Sequence, residues 1–550
     1  MNTIDKYVQL TDDSYKISSP LLLDTALEQV SSERNSLISA LKDSGSIKVP
    51  IVGDFSAGKS SLLNEYMGQD ETLPVDITPE TAVAYELYYG INEFVELYRD
   101  GNKIEERPIK EIKQLATRPG DIAKVHLNSA KIRDLEIKGI TLVDMPGIDS
   151  GIKEHNDAIL NYINKGTVFI LCVDSAGGSL RQSTLSFMSE LAKYNLKPAV
   201  IITKTDKKPV SEITGIVDYV AFQSRKAIGT ETYVGTVSAH NHDIKAFEEY
   251  INTLNVEEIV KEKFASRIDL FLTKQISSLQ AQAKIYNSKI DNAESQIEAL
   301  EAEKIKASQS INNAQVGDTP DKSTQDVLDI VNATLKVHSQ EIAQMAMDKE
   351  DSNAINARIL NYIRPVIVLA FKEEGQQYAS AMNTVVDQVS SALQDNLTID
   401  GNIFDNLVDS FREDIVGGVA IAADVLIAMP NVFAKALGWV LQFLGDKVPD
   451  LIKWFLGKNN EDILRDATNK VETTVIPQII ERLRPDILQQ ITEQQKRIRE
   501  NISTSIVSSI GNLQDSVMAS KEMTNKADLE IQITQINNAI EKISTLKTAI

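Results

Sequence analysis

The pattern of apolar and polar residues changes near residues 46 and 256, which divides the chain into stretches of different character. From residue 47 to about 255, short apolar runs alternate with amphipathic segments of helical length. This alternation predicts an α/β domain with a mainly parallel sheet and helices on both faces. RDGN at 99–102 predicts a hairpin turn, so part of the sheet edge is expected to be antiparallel. The strands expected are IKVPIVG, TAVAYELYY, FVELYR, VHLNSAKI, ITLVDMPG, TVFILCVD, KPAVIITKTD and YVGTVSA.

Outside this domain, apolar residues recur every three to four positions, which predicts helices. This spacing occurs from Ile268 to Leu300 and again from Leu529 to Ile543. Such a repeat is typical of helices that pack along a shared apolar seam. We therefore predict an all-α, elongated helical-bundle stalk that is interrupted at 313–324 and 394–402. The expected units are a neck helix (1–46) that packs with the stalk base, the α/β domain (47–255), the outgoing stalk (256–394), the stalk tip (395–460), and the returning stalk and neck helices (461–550).

The most apolar part of the chain is the stretch from residue 415 to residue 445. Asp424, Pro430 and Lys435 interrupt it, so no uncharged run reaches the ~20 residues that a spanning helix needs. Three interpretations stay open: a helical hairpin in the stalk core, a paddle that touches a membrane, and a transmembrane hairpin. No basic patch stands beside the stretch to favour anionic lipid.

The net charge of −21 changes this picture by making nucleic acid an unfavourable partner, and none is expected. The one cysteine, Cys172, cannot form an internal disulfide, and it lies in an apolar run typical of a buried strand. The N-terminal residues lack the basic and apolar regions of a signal peptide, and residue 2 is asparagine. The sequence therefore predicts a cytoplasmic protein.

Residues 53–60, GDFSAGKS, match the G-x-x-x-x-G-K-[ST] pattern of a phosphate-binding loop between an expected strand and an expected helix. Glycines let the backbone wrap an anion, and the N–H groups of the following helix face it. Lys59 is expected to reach the β- and γ-phosphates, and Ser60 to coordinate Mg²⁺. The nucleotide-binding residues predicted here are Gly53, Asp54, Phe55, Ser56, Ala57, Gly58, Lys59, Ser60 and Ser61.

Two further segments are expected at the phosphate end of the nucleotide. In DMPG, at the end of a strand, Asp144 can hold a Mg²⁺-bound water, and the Gly147 N–H can meet the γ-phosphate. The loop GQDETLPVDITPETAV is expected to supply a threonine that contacts both Mg²⁺ and the γ-phosphate. Thr78 and Thr81 both qualify, and the sequence does not separate them.

A third segment, TKTD at 203–206, indicates which base is bound. The Asp206 carboxylate can accept hydrogen bonds from guanine N1–H and the 2-amino group, whereas adenine offers neither donor. The stem of Lys204 can lie along the base, beside Thr203. In VSAHN, the backbone of Ser238 and Ala239 is expected to support the base.

Taken together, these segments resemble the dynamin superfamily of large GTPases, particularly the bacterial dynamin-like proteins, and more narrowly the labile-enterotoxin-output type. The resemblance lies in GDFSAGKSSLLN, the TPETAV loop, the proline of DMPG, and TKTD in place of the commoner N-K-x-D, and it covers about residues 50–240. It implies a P-loop GTPase domain followed by a helical stalk. GTP or GDP and Mg²⁺ are the implied ligands, and hydrolysis of GTP to GDP and phosphate the implied reaction.

The resemblance also implies roles for individual residues. Ser56 matches a serine that helps to orient the attacking water. Position 148 is isoleucine, so the water-positioning glutamine is missing, as in dynamin-like proteins, which are thought to complete the site when two GTPase domains meet. Low basal turnover raised by self-association is therefore expected, and no arginine finger is identifiable. The predicted catalytic residues are Ser56, Lys59, Thr78 and Thr81, and the predicted metal ligands are Ser60, Thr78, Thr81 and Asp144.

The family couples dimerisation to a swinging stalk that bends or fuses membranes, so the resemblance implies that residues 415–445 touch lipid. The predicted partners are a second copy of the chain and a lipid bilayer, which would place the protein peripherally on the inner face of a membrane. Two alternatives stay open. One is a nucleotide-gated interaction protein with little turnover that acts on a secretion or division partner. The other is an ATPase of a structural type, in which TKTD is incidental.

Overall fold

The computed structural model shows an α/β domain joined to a set of long helices. It describes residues 3–43, 46–54, 56–69, 72–74, 83–99, 101–118, 121–147, 162, 168–193, 196, 198–287, 293–348, 352–396, 460–523, 526–548 and 550.

The described part of the α/β domain contains a nine-stranded sheet in the order β4-β3-β5-β2-β6-β1-β7-β8-β9. The pairs β6–β1, β1–β7, β7–β8, β8–β9 and β2–β5 are parallel, while β2–β6, β3–β5 and β3–β4 are antiparallel. The predicted mainly parallel sheet with an antiparallel edge is thus confirmed. The strands are β1 (Ile47–Gly53), β2 (Ala84–Tyr89), β3 (Phe94–Arg99), β4 (Asn102–Pro108), β5 (Ile122–Leu127), β6 (Ile140–Asp144), β7 (Ile170–Asp174), β8 (Ala199–Thr203) and β9 (Val234–Thr236).

Helices accompany the sheet and make up the described remainder of the chain. In the α/β region they are α3 (Lys59–Met67), α4 (Ala130–Lys138), α5 (Gln182–Lys193), α6 (Val210–Ile228) and α7 (Lys245–Thr253), after α1 (Thr3–Ser18) and α2 (Asp24–Asp43). The C-terminal helices are α8 (Val256–Asn287), α9 (Ala293–Asn312), α10 (Pro320–Val337), α11 (Ser339–Met347), α12 (Ser352–Asn396), α13 (Asn460–Lys470), α14 (Ile476–Glu522) and α15 (Lys526–Lys547).

Two expectations about these elements were wrong. VHLNSAKI is not one strand, because β5 ends at Leu127 and α4 begins at Ala130. Ile132 and Leu135 are the buried residues of α4, which is helical spacing, and Gly139 ends the helix at φ 78°. The expected single N-terminal helix is two helices, α1 and α2, separated at the SPLLL segment, whose proline lacks an N–H donor.

Pro50 lies inside β1, a central strand, where proline is rare. The N–H of Ile47 donates to the Gly139 carbonyl on the β6 side, so by alternation Pro50 faces β7. The ladder between β1 and β7 starts only at the pair Ile51–Ile170, after the proline. The missing N–H therefore removes no bond from that ladder.

The N-terminal helices pack against helices from the far end of the sequence. Ser18 donates to Gln275 of α8 over 2.7 Å, and Lys274 bonds to Glu33 over 2.7 Å. The Thr25 N–H of α2 donates to Asp515 of α14 over 2.9 Å. These contacts and the apolar residues around them join α1, α2, α8, α14 and α15 into one bundle beside the α/β domain.

The predicted seam is largely buried. Leu272 and Leu279 are inaccessible to solvent, as are Leu300 and Ile543. The interruption expected at 313–324 lies between Asn312 and Pro320, although residues 320–324 already belong to α10, which Thr319 caps. Helices α10 to α14 enclose a second apolar core of their own. Residues 397–459, including 415–445, lie outside the described residues.

A buried ion pair joins the α/β domain to the long helices. Arg364 of α12 donates to Glu190 of α5 over 3.0 Å, and the two side chains are 9% and 2% exposed. Because α5 is part of the α/β domain, this pair fixes α12 against it.

Candidate functional site

The candidate site lies at the carboxyl ends of the parallel strands. Strand β1 leads into the phosphate loop and then into α3, which begins at Lys59. Strands β6, β7 and β8 lie parallel to β1 or to each other and end at Asp144, Asp174 and Thr203. Parallel strands present their carboxyl ends at one edge, which is where open α/β sheets bind ligands.

The backbone of the loop is tightly wound. Gly58 has φ +81° and Ser56 has φ +64°, a left-handed conformation that is costly for a residue with a side chain. A Cβ atom on Gly53 would clash with the carbonyl oxygen of Cys172 on β7. The glycine is therefore required for the close approach of the loop to the sheet.

Lys59 is the buried cation of the loop. Its ammonium donates to the carbonyl oxygens of Gly53 over 3.1 Å and Asp54 over 3.0 Å, and the residue is 8% exposed. Burial lowers the pKa of Lys59, against the opposing effect of the Asp144 carboxylate. An anion bound inside the loop would favour the protonated form of Lys59 and so oppose this lowering of its pKa.

Asp144 and Ser60 meet beside this lysine. The Ser60 hydroxyl donates to Asp144 Oδ2 over 2.6 Å, while Asp144 Oδ1 is buried without a hydrogen-bond partner among the described residues. Burial raises the pKa of Asp144 to about 6, although Lys59 and the Ser60 hydrogen bond oppose the shift. A hydroxyl and a carboxylate with an unused buried oxygen suit Mg²⁺, which takes hard oxygen ligands alongside phosphate.

The end of β8 is fastened to the phosphate loop. Thr203 donates from Oγ1 to the Ala57 carbonyl over 2.6 Å. Lys204, in a left-handed conformation at φ 55°, donates to the Ser56 carbonyl and to Asp174 over 2.8 Å. The structure therefore brings TKTD and GDFSAGKS, which are almost 150 residues apart, into direct contact.

Asp206 and Ser238 also come together. The Ser238 hydroxyl donates to Asp206 Oδ1 over 2.6 Å, and this hydrogen bond lowers the pKa of Asp206. The N–H and hydroxyl of Thr205 both donate to the Val237 carbonyl, which ties the two segments by their backbone. The hydroxyl of Ser238, and not only its backbone, thus orients the carboxylate. Ala239 follows in the turn, and the Ser238 N–H bonds to the Asp243 carbonyl.

Some predicted residues are not placed beside these groups. Phe55, Thr78 and Thr81 lie outside the described residues, so the choice between the two threonines stays open. Ser61 is the third residue of α3, and Gly147 is buried three residues after Asp144.

The structure adds three residues that the sequence did not indicate. Asp174 holds the Lys204 ammonium, and Ser175 donates to the Lys204 carbonyl over 2.7 Å. Arg181, just before α5, places Nε 3.1 Å from Oδ2 of Asp54 in the phosphate loop. The sequence could have indicated Asp174, because it ends a parallel strand as Asp144 does. It could not have indicated Arg181, because only the fold brings the loop of Arg181 to Asp54.

Residues 49–206 match the model of the dynamin family. Over 294 residues, 48% of this chain, the sequence is 24% identical to dynamin-like protein 2 of Campylobacter jejuni, of which it covers 46%. Over 212 residues, 35% of this chain, it is 28% identical to an uncharacterized protein in the xynA 3' region of Caldicellulosiruptor sp., of which it covers 50%. Over 229 residues, 38% of this chain, it is 25% identical to dynamin-2 of Bos taurus, of which it covers 26%.

The chain therefore spans half or less of the length of these curated relatives. A solved structure described as part of an oligomerised bacterial dynamin pair, with a mechanism for long-range sensing and tethering of membranes, is 16% identical. The match covers 92% of this chain and 91% of the chain in that structure, and its TM-score of 0.33 is too low to support an argument. The family match contains the phosphate loop, Asp144 and TKTD, and it identifies residues 49–206 as a domain similar to that of the dynamin family.

Proposed function

We propose that this protein binds GTP with Mg²⁺ at the edge of the sheet and hydrolyses it to GDP and phosphate. The observation that carries the proposal is the convergence of Lys59, the Ser60–Asp144 pair and the TKTD segment on one loop. These groups offer, in one place, a buried cation for phosphate, oxygen ligands for a metal, and an oriented carboxylate for a base.

The nucleotide would be held from both ends. On the phosphate side, the loop N–H groups and the Lys59 ammonium bind the phosphates, with the lysine exchanging two carbonyl partners for anionic oxygens. Ser60 and Asp144 would hold the metal, which would supply positive charge to offset that of the phosphates. On the base side, Asp206, oriented by Ser238, accepts hydrogen bonds from guanine. Lys204, held by Asp174, presents its stem to the base.

Ser56 is proposed to act on the attacking water, since its strained backbone sets it at the turn of the loop. Thr78 or Thr81 is proposed as the remaining metal ligand and catalytic contact. With Ile148 after Gly147, no glutamine follows to position water. We propose that basal turnover is low and rises when two GTPase domains associate.

The helical region is proposed to transmit the nucleotide state to a membrane. The support is the junction of α5 with α12, which connects a helix beginning next to the phosphate loop to a helix that leads toward residues 395–460. None of the helices among the described residues has the length and hydropathy needed to cross a bilayer. We propose peripheral binding to the inner face of a membrane, with the tip containing 415–445 as the lipid contact.

The test is GTP hydrolysis at several protein concentrations, with and without liposomes, beside Lys59→Ala and the exposed-surface control Lys226→Ala. We expect the rate per molecule of the wild type and of the control to rise with protein concentration or lipid, and that of Lys59→Ala to vanish. Tight GTP binding with a flat, near-zero rate would contradict hydrolysis and support the alternative of a nucleotide-gated interaction protein. Preference for ATP in a competition assay would overturn the choice of base.

A further inference from the structure

Arg181 places a further cation at the phosphate loop, and it has no role in the proposed binding of GTP and Mg²⁺. Its Nε lies 3.1 Å from Oδ2 of Asp54, and the two side chains are 66% and 18% exposed. Among the described residues, Lys59 and Lys204 are also cations at this loop, and they bond to loop carbonyls from within the site. Arg181 instead approaches from the solvent side, out of the segment between β7 and α5.

The Arg181–Asp54 ion pair joins a mostly exposed guanidinium to a carboxylate that is 18% exposed. Water screens the arginine side of the pair, so the pair adds little to the stability of the fold. Asp54 moreover belongs to a loop built to receive phosphate, where a carboxylate repels the ligand. A guanidinium beside Asp54 offsets that repulsion, so the ion pair would favour the binding of phosphate in the loop.

The guanidinium is also suited to contact the phosphates directly. It carries five N–H donors in a planar fork that matches phosphate oxygens, so a guanidinium that contacts Asp54 can also donate to an anion. Hydrolysis develops charge on the transferred group and on the oxygen that leaves with GDP. At position 148 the chain has an apolar residue, so a polar group from elsewhere is needed near this charge.

We propose that Arg181 is a catalytic arginine of this same chain, held beside the phosphate loop by Asp54 and donating to the phosphate oxygens as GTP is hydrolysed. The inference rests on the proposed GTPase function. Water attacks the γ-phosphorus, a new P–O bond forms, and the bond to the β–γ bridging oxygen breaks. GDP leaves with that electron pair, and the proton of the water passes to phosphate or solvent. Arg181 stays protonated and stabilises the developing negative charge.

The variants to compare are Arg181→Ala and Arg181→Lys, with Arg225→Ala on the exposed face of α6 as the matched control. Because Arg181 is exposed, the variants are expected to fold, which thermal melting verifies. We expect both Arg181 variants to lower kcat at least on the order of 10-fold, since arginine fingers contribute far larger factors. KM for GTP is expected to change by less than about 3-fold, because the contact strengthens in the transition state.

A binding measurement separates this role from a structural one. We expect the affinity for GDP to be the same in wild type and variants, while the gain in affinity on adding aluminium fluoride, a mimic of the transferred phosphoryl group, is lost in Arg181→Ala. An unchanged kcat, or an equal loss of GDP and GTP affinity, would overturn the proposal. Recovery of activity on mixing Arg181→Ala with Lys59→Ala would also overturn it, because the arginine would then act on a second copy. If the wild type itself hydrolyses no GTP, the proposed function fails instead.

Discussion

At the scale of single residues, the site is a set of buried charges whose partners sit on distant segments. Burial shifts Lys59 and Asp144 toward their neutral forms, which is the expected cost of enclosing ionisable groups at the proposed nucleotide site. Asp206 differs, because it is exposed and its ionised form is stabilised by Ser238. The phosphate end is thus enclosed, and the base end is open.

The first prediction concerns Asp206. Asp206→Ala removes the acceptor for guanine, and we expect GTP affinity to fall about 10- to 150-fold, as for loss of hydrogen bonds worth roughly 1.5–3 kcal/mol to a charged group. ATP affinity should stay the same. Isothermal titration with both nucleotides measures this, and Asp218→Asn on the exposed side of α6 is the control. Equal losses for GTP and ATP would contradict the assigned role.

The second prediction concerns Glu86 of β2, which is 4% exposed. Burial opposes its ionisation, but Lys48 at 3.1 Å and hydrogen bonds from Tyr162 and Tyr88 outweigh burial and lower its pKa. A lowered folded-state pKa gives stability that is present above the ordinary glutamate pKa and is lost as pH falls through the folded value. We therefore expect Tm to decrease as the pH falls below the ordinary pKa of glutamate and through the lowered pKa of Glu86.

The matched variant for this prediction is Glu86→Gln, which cannot titrate. Its Tm is expected to be lower than the wild-type Tm at neutral pH, because Lys48 loses its buried counter-charge. The difference in Tm should narrow as the pH is lowered. If Tm, measured by circular dichroism, decreased equally with falling pH in both proteins, Glu86 would not contribute to the pH dependence of stability.

At the scale of elements, α5 links the nucleotide loop to the helical region. It begins beside Arg181, whose guanidinium meets Asp54, and carries Glu190, which pairs with Arg364 of α12. The twelve residues of α5 span about 18 Å, and Arg181 directly precedes the helix, so one rigid element connects the two contacts. Movement of the loop before α5 would therefore be transmitted through α5 to α12.

The third prediction is that Arg364→Met destabilises the protein by about 3–5 kcal/mol, because it leaves Glu190 buried without its counter-charge. The double variant Glu190→Gln with Arg364→Met should recover much of this loss. Urea denaturation of the two single variants and the double variant gives the coupling energy. The exposed pair Lys496–Glu500 serves as the control, and its removal should cost at most about 1 kcal/mol. A coupling near zero would mean that α5 and α12 are apart in solution.

At the scale of the whole molecule, the two ends of the chain are packed together. Thr25 of α2 lies against Gly511 of α14, where an added Cβ would stand 2.8 Å from the threonine methyl carbon. The bundle beside the α/β domain therefore depends on a close approach between helices that are almost 490 residues apart.

The fourth prediction compares two helical glycines. Gly511→Ala should destabilise the protein by about 1–3 kcal/mol, because the methyl group overpacks the contact with α2. Gly215→Ala on α6, where nothing lies within 4 Å of the new Cβ, should instead stabilise by up to about 1 kcal/mol through helix propensity. Thermal and urea unfolding of both variants measure the contrast. Equal effects would indicate that α2 and α14 are not in contact.

Much of the α/β domain was determined by the sequence itself. Apolar runs predicted most of the strands, including β1 and β3 to the residue. Strand β1 is parallel to its neighbours and buried along its whole length, which favours a mostly apolar sequence. Strand β3 is antiparallel, and Val95 and Leu97 are its buried positions, which is the alternation of a half-buried strand. The phosphate-loop pattern, DMPG and TKTD could be recognised because backbone cradles and base contacts need particular residues at fixed positions, and their roles stay predictions. The helical character of the C-terminal region followed from its seam, since helix periodicity is local. The domain boundaries, the membrane tip and the narrower enterotoxin-output assignment stay predictions.

Only the tertiary structure decided which distant groups meet. Local pattern could not show that Lys204 reaches the Ser56 carbonyl, that Arg181 pairs with Asp54, or that Arg364 pairs with Glu190. It also misassigned α4, because Ile132 suits a strand as well as a helix when its packing partners are unknown. The physical reason is that periodicity records which side of an element is buried, whereas the fold determines what that side is buried against.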